Sequence, residues 1–437
     1  MTVVCLPNCA FLSETSRMVA VYRKLVEQGA DTVMATHGGA YEFVLQREGI
    51  TYEVIEPRLT PDETRRLLDV LTNRPWRPLY ERAVLEAHVQ SEMAFFQRHD
   101  AHAIVSGFTL SAALSARGTG IPLVVTHLGS FVPPALEAVG FACREVFDNP
   151  ASALLPKSWL ERLVGWFFTR SRFQVRTFNT VARRLGISEM IRSTFDLLMG
   201  DLTLVTDVPE VVGVTEDEME AWRPTDTSRF RPNARLAYAG AMFAELFGEV
   251  PDEVAGFLKT DRPKVYVALA SSRPEYVRQV RDALEGLEVR AVVATTVHEA
   301  DSVTADNVLL RDFLPSHLVM PLCDLAIIHG GQGSVQTAIA AGIPVIGLPL
   351  QPEQNFNLRL VEQHGAGLSF SLRSLARGHL PDAIVAVLED PAYKTAMRRL
   401  QQWQAARDGP LEVARVLMDL PMRSNARRVS DLTGLPQ

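Results

Sequence analysis

The feature that most constrains the fold is an alternation of short, β-rich apolar runs with amphipathic helical segments, which occurs twice along the chain. The first series contains "TVVCL", "DTVMAT", "AIVSG" and "PLVVT", and the second contains "KVYVALA", "VRAVVATT", "LAIIHG" and "VIGLPL". Strand, helix and strand in this order form a parallel sheet with right-handed crossover connections. Each series therefore predicts one doubly wound α/β domain.

The domain boundaries follow from chain length and from one change in composition. A chain of 437 residues exceeds what a single core usually organises, so we expect two domains. Residues 221–240 are rich in proline, arginine and polar side chains, which is typical of an interdomain linker. We therefore predict a first domain over 1–220 and a second over 241–437 that ends in helices. The carboxyl ends of the strands would face a cleft between them.

The composition indicates a globular protein with small-molecule partners. Hydrophobic residues make up 47% and charged residues 22% of the chain, and the formal net charge of -7 gives no general attraction to nucleic acid. The start of the chain lacks the pattern of a signal peptide, and no run approaches the ~18 apolar residues of a membrane span. We therefore expect a cytoplasmic protein with reduced, mostly buried cysteines: Cys5, Cys9, Cys143 and Cys323.

The segment from about Ala151 to Gly186 departs from the α/β pattern because it is aromatic, basic and helical. Its large apolar side chains could form a lid over an acceptor pocket or a patch that contacts a membrane surface. The alternative is a helix packed on its own domain. The residues concerned are Trp159, Leu163, Trp166, Phe167 and Phe173. The sequence leaves this choice open, and it also leaves open whether the chain forms a homodimer.

The strongest chemical signal begins at the end of the apolar run "LAII". His329 follows this run, and a glycine turn then leads into the helical segment "SVQTAIAAG". A glycine turn that opens a helix exposes unpaired N–H groups at the positive end of the helix dipole, where a phosphate can bind. Ser334 and His329 can add a hydroxyl and a ring N–H to the same anion. Because such turns also connect ordinary α/β units, this signal alone does not establish the site.

A second polar cluster follows the next apolar run, "VIGLPL". Glu353 and Gln354 stand after this strand, and Asn357 follows one helical turn later. A carboxylate and an amide beside a phosphate turn are suited to binding sugar hydroxyls, since each can make two hydrogen bonds. The two clusters together indicate a site for a diphosphate and the sugar attached to it.

The stretch from His329 to Asn357 resembles the donor-binding signature of the family-one nucleotide-sugar glycosyltransferases of the GT-B fold. The upstream segment "LLRDFLPSHL" is similar to that family too. The resemblance implies two Rossmann-like domains that face a central cleft, with the acceptor in the first domain and the donor in the second. It implies no cofactor besides the nucleotide-sugar co-substrate. It also implies no metal, because the helix dipole and His329 supply the positive potential.

The resemblance assigns roles to single residues of the second domain. The diphosphate would be bound by His329, Ser334 and the backbone at Gly331 and Gly333. Glu353 and Gln354 would contact the sugar. Phe313 and Leu314 would contact the nucleotide base, and Ser271 and Ser272 would form a loop of small residues near the phosphates.

The chain departs from the family at the position that usually binds the ribose. Many members have a carboxylate eight residues after the signature histidine, and this chain has Thr337 there, preceded by Gln336. A threonine cannot accept hydrogen bonds from both ribose hydroxyls as a carboxylate does. We therefore expect either a UDP-sugar bound with a weaker ribose contact or a dTDP-sugar, whose nucleoside lacks one hydroxyl.

The chain also departs from the family at the catalytic base. Glu14 stands where the family has a histidine that deprotonates the acceptor, and Ser106 and Gly107 stand where the orienting aspartate is expected. Three interpretations remain. Glu14 is itself the base, with its pKa raised by burial, or His127 after a later strand serves instead, or the protein binds without catalysis. For Glu14 the competing explanation is ordinary helix capping, and for His127 a hydrogen-bonded loop histidine.

These observations predict an inverting, metal-independent glycosyltransferase that moves a hexose or deoxyhexose to a small, lipophilic acceptor such as a natural product or lipid. The acceptor oxygen would attack the anomeric carbon from the side opposite the diphosphate. The alternative is a catalytically silent GT-B protein that acts as a partner of another enzyme, which the missing histidine and aspartate favour. A sugar-nucleotide epimerase of similar form fits the order of the signature less well.

Overall fold

The structure is a computed structural model of the chain. It describes residues 1–72, 77–140, 156–242, 248–269, 274–295, 305–312 and 314–420. Ser271, Ser272 and Phe313 lie outside the described residues, as do Cys143 and the side chain of Phe167. The predicted roles of these residues therefore stay predictions.

The first domain is built on a parallel sheet with the strand order β3-β2-β1-β4-β5-β6-β7. The strands are β1 (Thr2–Cys5), β2 (Asp31–Thr36), β3 (Tyr52–Val54), β4 (Ala101–Ser106), β5 (Leu123–His127), β6 (Leu202–Val205) and β7 (Arg235–Tyr238). The helices between them are α1 (Leu12–Glu27), α2 (Glu42–Arg47), α3 (Pro61–Thr72), α4 (Arg82–Arg98), α5 (Ala112–Thr119), α6 (Pro133–Val139), α7 (Lys157–Arg170), α8 (Val175–Arg184), α9 (Thr194–Leu198), α10 (Pro209–Val212) and α11 (Glu216–Ala221).

The second domain repeats this architecture with a parallel sheet in the order β10-β9-β8-β11-β12-β13. The strands are β8 (Lys264–Ala268), β9 (Arg290–Ala294), β10 (Val308–Arg311), β11 (Leu325–Ile328), β12 (Val345–Gly347) and β13 (Gly367–Ser369). The helices are α12 (Asp252–Phe257), α13 (Pro274–Glu285), α14 (Ser316–Val319), α15 (Gln332–Ala341), α16 (Pro352–Gln363), α17 (Leu372–Ala376), α18 (Leu380–Glu389), α19 (Pro391–Ala405) and α20 (Gly409–Met418).

Both faces of the first sheet are buried, as the apolar strand sequences require. Along β1, Val3 and Cys5 pack into one hydrophobic cluster, whereas Val4 packs into another on the opposite face. A parallel sheet covered on both sides explains why these strands are continuously apolar and not alternating. The predicted α/β class with two doubly wound domains is confirmed.

Two elements belong to the first domain although the predicted boundaries place them elsewhere. Strand β7 falls within the predicted linker, 221–240, but it pairs in parallel with β6 and completes the first sheet. Its short apolar pattern was hidden among prolines and arginines. Helix α20, predicted with the second domain, packs on α1, and its Val413 and Leu417 are fully buried in a cluster with Val21 and Leu25. The first domain therefore includes the end of the described chain.

The aromatic segment forms α7, and three of its apolar side chains are exposed. Trp159, Leu163 and Trp166 are 70%, 59% and 56% exposed. The alternative that these side chains pack on their own domain is therefore wrong for these three residues. Their spacing places them on one side of the helix. None of the helices in the described stretches combines the length and apolar character needed to cross a bilayer. Cys5, Cys9 and Cys323 are buried free thiols, as predicted.

Candidate active site

The donor half of the site begins where β11 ends. Gly330 has a φ of 90°, and a Cβ at this position would lie 2.5 Å from Leu358 Cδ1, so a glycine is required. A Cβ on Gly331 would lie 2.7 Å from His329 Nε2. The two glycines thus let the chain turn tightly into α15 and leave room for the His329 ring beside the first turn of this helix.

His329 is positioned by the neighbouring strand. Its Nδ1 lies 3.4 Å from the carbonyl oxygen of Ala268 at the end of β8. A carbonyl only accepts hydrogen bonds, so Nδ1 carries the proton of the neutral ring. Burial lowers the pKa of His329. A diphosphate bound beside the ring would favour the protonated form, in which Nε2 also donates.

The first turn of α15 presents the expected helix N-terminus. Gln332, Gly333 and Ser334 are its first three residues, and N–H groups at these positions have no intrahelical acceptor. A Cβ on Gly333 would meet nothing within 4 Å, so this side of the turn is open. Thr337 is 7% exposed, and its hydroxyl donates to the Gly333 carbonyl at 2.8 Å. Its hydroxyl hydrogen is therefore used within the helix and is not free for a ribose.

Glu353 lies directly against this helix N-terminus. Its Oε1 accepts a hydrogen bond from the Gln332 backbone N–H at 3.3 Å and another from Asn357 Nδ2 at 2.6 Å. Asn357 also donates to the Gly330 carbonyl at 3.0 Å, so it links the glycine turn to α16. Burial raises the pKa of Glu353 to about 7. A carboxylate thus lies where the diphosphate is predicted to bind.

Two other predicted donor residues are engaged within the second domain. The Gln354 side-chain oxygen accepts a hydrogen bond from the Leu350 N–H at 2.8 Å, and the residue is 3% exposed. Leu314 is 4% exposed and packs in the hydrophobic core, so little of its surface remains for contact with a base. Their assigned contacts to sugar and base stay predictions.

The acceptor half of the site contains a buried ion pair. Glu14 Oε1 lies 2.9 Å from Arg17 Nη2 on the first turns of α1, and both side chains are at most 8% exposed. Gly107 is needed beside this pair, since a Cβ there would lie 1.8 Å from Glu14 Oε2. Burial raises the pKa of Glu14, and the Arg17 charge acts in the opposite direction. Ser106, in the place of the orienting aspartate, donates to the Leu6 carbonyl at 2.9 Å.

His127 ends β5 at the floor of the same half. It is 3% exposed, and its Nε2 has no hydrogen-bond partner among the described residues. The ring stacks on Phe131 with centroids 4.5 Å apart. Burial lowers the pKa of His127 to about 3, so the ring is neutral near pH 7. A neutral imidazole with an unpartnered nitrogen remains able to accept a proton or a hydrogen bond.

A cluster of hydrogen bonds joins the two halves across the cleft. Asp207, just after β6, accepts from Gln332 Nε2 at 2.8 Å and from Gln336 Nε2 at 3.2 Å. Both amides also donate to the Thr206 carbonyl, at 3.0 and 2.5 Å, and the Thr206 hydroxyl donates to Gln332 Oε1 at 2.9 Å. Burial raises the pKa of Asp207 to about 6. We call these four residues the cleft clamp, because they hold α15 against the first domain.

Solved structures with the same architecture cover 96% of the chain. A spinosyn rhamnosyltransferase, SpnG, superposes with a TM-score of 0.65 at 17% identity, and all of its chain is covered. The glycosyltransferase VinC, solved in complex with dTDP, also gives 0.65 at 17% identity, with 98% of its chain covered. At this level of identity the likeness establishes the fold.

Sequence comparisons agree with this architecture. A model of the C-terminal domain of erythromycin biosynthesis protein CIII-like proteins matches residues 279–420, which contain β11, α15 and α16. The chain is also 27% identical over 331 residues to a PGL/p-HBAD biosynthesis glycosyltransferase of Mycobacterium tuberculosis strain H37Ra, covering 75% of this chain and 72% of the relative. The matched domain, the glycosyltransferase relative and the shared architecture together support a family-one nucleotide-sugar glycosyltransferase of the GT-B fold. The predicted resemblance is confirmed.

Sequence reasoning missed several polar residues of this glycosyltransferase site. Arg17 and Asp207 were not singled out, because each is one ordinary charged residue in a segment without a motif. Gln332 and Gln336 lie inside the signature, but their interdomain role depends on the position of β6 in the other sheet. Only the carboxyl-end rule for parallel strands could have drawn attention to Asp207, which lies two residues after the end of β6.

We expect the affinity of the glycosyltransferase for a UDP- or dTDP-sugar to fall as the pH rises through about 7. The reason is that ionised Glu353 places a negative charge beside the bound diphosphate, whereas the protonated form does not. The limiting slope is about tenfold per pH unit above the pKa of Glu353. Calorimetric titration with the intact sugar nucleotide measures this, since its diphosphate does not titrate in this range.

The matched variant is Glu353→Gln, which keeps a side-chain oxygen for the Gln332 N–H and removes the titration. It should bind the sugar nucleotide with a much flatter pH profile. Any pH dependence of the affinity that remains in this variant would come from His329, whose protonated ring donates a further hydrogen bond. An unchanged pH profile in this variant would exclude Glu353 as the titrating group.

Proposed function

We propose that the protein is an inverting glycosyltransferase that moves a hexose or deoxyhexose from a UDP- or dTDP-sugar to a hydroxyl of a small, lipophilic acceptor. The observation that carries this proposal is the junction of β11 and α15, where His329, the open side of Gly333 and Glu353 meet at one helix N-terminus. An anion and an attached sugar are the ligand that such a junction fits.

Inversion is supported by the placement of the two halves. The diphosphate site belongs to the second domain, whereas Glu14, Arg17 and His127 come from the first. An acceptor oxygen bound in the first domain would face the anomeric carbon from the side away from the diphosphate. The N-terminus of α15 and protonated His329 would stabilise the charge that develops on the leaving group.

The preference between UDP and dTDP is supported by the lack of a carboxylate at the position that usually binds the ribose. The Thr337 hydroxyl donates within its own helix, and Gln336 belongs to the cleft clamp, so neither offers the paired acceptor of a ribose-binding carboxylate. A deoxyribose demands less of this position. VinC, a structural neighbour, was solved with dTDP. We therefore favour dTDP-sugars, and clearly tighter binding of UDP than of dTDP in parallel titrations would reverse this preference.

The acceptor class is suggested by α7 and by the relatives. The exposed apolar stripe of Trp159, Leu163 and Trp166 lies on a helix whose Glu161 pairs with Arg359 of α16 at 3.0 Å. This pair brings the stripe to the helix that carries Glu353. By name, the similar proteins include a PGL/p-HBAD biosynthesis glycosyltransferase and a spinosyn rhamnosyltransferase, which supports an acceptor of the natural-product class. A membrane surface is the other partner that this stripe could contact.

The reaction is proposed to need no metal ion. The described residues contain no group of three or more histidine, cysteine or acidic side chains arranged to hold one. The charge on the leaving group would instead be balanced by the helix N-terminus and His329. Turnover that persists in excess EDTA is the expected result.

The deciding experiment incubates the protein with UDP-α-glucose or dTDP-α-glucose and a pooled acceptor extract, with and without EDTA. A hexose mass shift in the extract identifies the product, and the anomeric proton coupling in its NMR spectrum gives the stereochemistry. A β-linked product is expected. An α-linked product would exclude inversion, and a mass shift abolished by EDTA would exclude metal independence.

The second candidate function is a catalytically silent partner protein. It is favoured by one observation, namely that Glu14, in the place of the usual base, is held in a buried ion pair with Arg17. The two functions differ in nucleoside diphosphate release. A silent protein would bind the sugar nucleotide but release no diphosphate with any acceptor fraction.

A further inference from the structure

A buried histidine of the first domain has an acceptor at each of its two ring nitrogens. His37 follows β2 directly and is 6% exposed. Its Nδ1 lies 3.0 Å from the Pro57 carbonyl oxygen, and its Nε2 lies 3.1 Å from Glu92 Oε1. A carbonyl oxygen only accepts hydrogen bonds, so Nδ1 carries a proton. The charge of the ring therefore depends on where the proton between Nε2 and Glu92 lies.

The surroundings of Glu92 favour its ionised form. Glu92 lies within α4 and has no exposed surface. Its Oε1 accepts a hydrogen bond from the hydroxyl of Ser111, the N-cap of α5, and its Oε2 accepts one from the hydroxyl of Ser115. Donors that converge on one carboxyl group stabilise the carboxylate. Nε2 of His37 then donates to Glu92, and the ring is an imidazolium.

A second histidine packs flat against this ring. His88 is 1% exposed, and its ring centroid lies 3.9 Å from that of His37 with an angle of 15° between the planes. Its Nε2 is buried and has no partner among the described residues. Burial and the charge of His37 lower the pKa of His88 to about 4, so this ring is neutral near pH 7. One ring of the stacked pair is charged and the other is not.

The other titratable groups around the two rings do not provide a second counter-charge. Burial raises the pKa of Tyr80 and raises that of Cys9 to about 11, so both keep their protons near pH 7. The charged groups of the adjoining elements have partners of their own, and they are Glu63 on α3, Glu42 on α2 and Arg58 after β3. Glu92 is therefore the group that balances the charge of His37.

The pair of His37 and Glu92 holds two loops that adjoin the first turn of α1. The loop after β2 begins with His37, and one of its backbone N–H groups donates to the Cys9 carbonyl at 2.8 Å, just before α1. The loop after β4 contains Gly107, which lies against Glu14, and it ends at Ser111. Both loops are thus connected to α4 through one carboxylate.

We propose that His37 and Glu92 form a proton-dependent lock in the first domain, in which the imidazolium of His37 joins the loop after β2 to α4 and α5. When the ring loses a proton to water, Nδ1 keeps its hydrogen for the Pro57 carbonyl, and Nε2 turns a lone pair toward Glu92. Two acceptors then face each other in a buried place, which is unfavourable, and the loop separates from α4. This inference concerns the first domain alone and does not depend on the proposed sugar transfer.

The lock is closed on the acidic side of its transition. Burial acts to lower the pKa of His37, but the hydrogen bond and the charge of Glu92 outweigh it, and the pKa is raised from its ordinary value of 6.5. While Glu92 stays ionised, the contribution of the lock to stability is fully present below pH 6.5. It is lost as the pH rises through the higher pKa of the folded state.

NMR of the full chain with 15N-labelled histidine measures the charge of the two rings. The stacked rings are identified by the nuclear Overhauser effect between them, and the signals missing from the double variant His37→Asn and Glu92→Gln belong to His37. We expect a midpoint above 6.5 for His37, with both nitrogens protonated below it, and a neutral His88 at that pH. In Glu92→Gln the midpoint of His37 should fall by about 1–3 pH units. A midpoint at or below 6.5 in the wild-type protein would overturn the proposal.

Melting curves at a series of pH values from 6.5 upward test the lock itself. The double variant removes both charges together, so neither is left buried and unpaired. The melting temperature of the wild type relative to this variant should fall as the pH passes the midpoint of His37. The matched control carries His99→Asn and Glu53→Gln, because this pair has the same 3.1 Å separation but is partly exposed. The control should melt like the wild type at every pH.

The outcomes of the two measurements are distinct. A difference between wild type and double variant that is constant across the transition would show that the pair is not a lock. If the double variant does not fold, the titration of the stacked rings in the wild-type protein still decides, because two rings that are both neutral at pH 6.5 would overturn the proposal.

Discussion

Replacing Asp207 with alanine is expected to lower kcat by roughly 10²-fold while leaving the binding of the sugar nucleotide nearly unchanged. The variant removes a buried carboxylate that accepts hydrogen bonds from Gln332 and Gln336. Losing the acceptor of such buried donors costs about 1–3 kcal/mol each. Because both amides keep the Thr206 carbonyl as an acceptor, we take about 1.5 kcal/mol for each, or about 3 kcal/mol in total, which makes the closed arrangement about 10²-fold less populated. Asp207 contacts the other domain and, in the proposed mechanism, no part of the donor.

The control is an interdomain contact on the surface. Arg407, before α20, pairs with Glu216 at the start of α11, and both side chains are partly exposed. Glu216→Gln should cost no more than about 1 kcal/mol and change kcat little. Steady-state kinetics, donor titration and a melting curve distinguish the cases. An Asp207→Ala protein that keeps full kcat would show that the hydrogen bonds of the cleft clamp do not contribute to kcat.

Replacing His329 with alanine is expected to reduce kcat/KM by roughly 10²- to 10³-fold, the typical cost of removing one stabilising donor from a leaving-group site. The loss should appear in both donor affinity and kcat, since the ring would contact the diphosphate before and during bond cleavage. His329 also fills space beside Gly331, so a melting curve must accompany the kinetics.

His379→Ala serves as the matched control for this variant. His379 is exposed at the N-cap of α18 and has no assigned role in the donor site, so its loss should leave donor affinity unchanged. Asparagine at position 329 offers a further comparison, because it keeps one side-chain donor. Equal donor affinity in wild type and His329→Ala would exclude His329 from the diphosphate site.

The sequence predicts the single strands, turns and helices of this enzyme better than it predicts which of them pair or pack together. The strand, glycine turn and helix at His329 form as predicted, because apolar run, turn chemistry and helix opening are all set within about twenty residues. Strand β7 was missed because four residues among prolines carry little periodicity, and only pairing with β6 reveals it. The assignment of α20 failed because an amphipathic helix does not encode which of two domains it covers.

In the acceptor half, too, the sequence does not show which side chains from different elements lie side by side. The assignment of Glu14 to the position of the family histidine stays a prediction, and the structure places Glu14 in the first turn of α1. The ion pair with Arg17 follows from helical spacing of three residues, which the sequence contains. That the pair is buried beside Gly107 depends on β1 and β4 being neighbours that end at the same edge of the sheet. No local pattern carries that information.

The return of α20 to the first domain means that the chain passes between the domains twice. With Val413 and Leu417 fully buried against α1, the second domain is tied to the first at both of its ends. The two crossings are adjacent, because a Cβ on Gly409 would lie 2.7 Å from the Gly240 carbonyl oxygen. Cutting either connection would therefore leave the domains joined by the other at the same place.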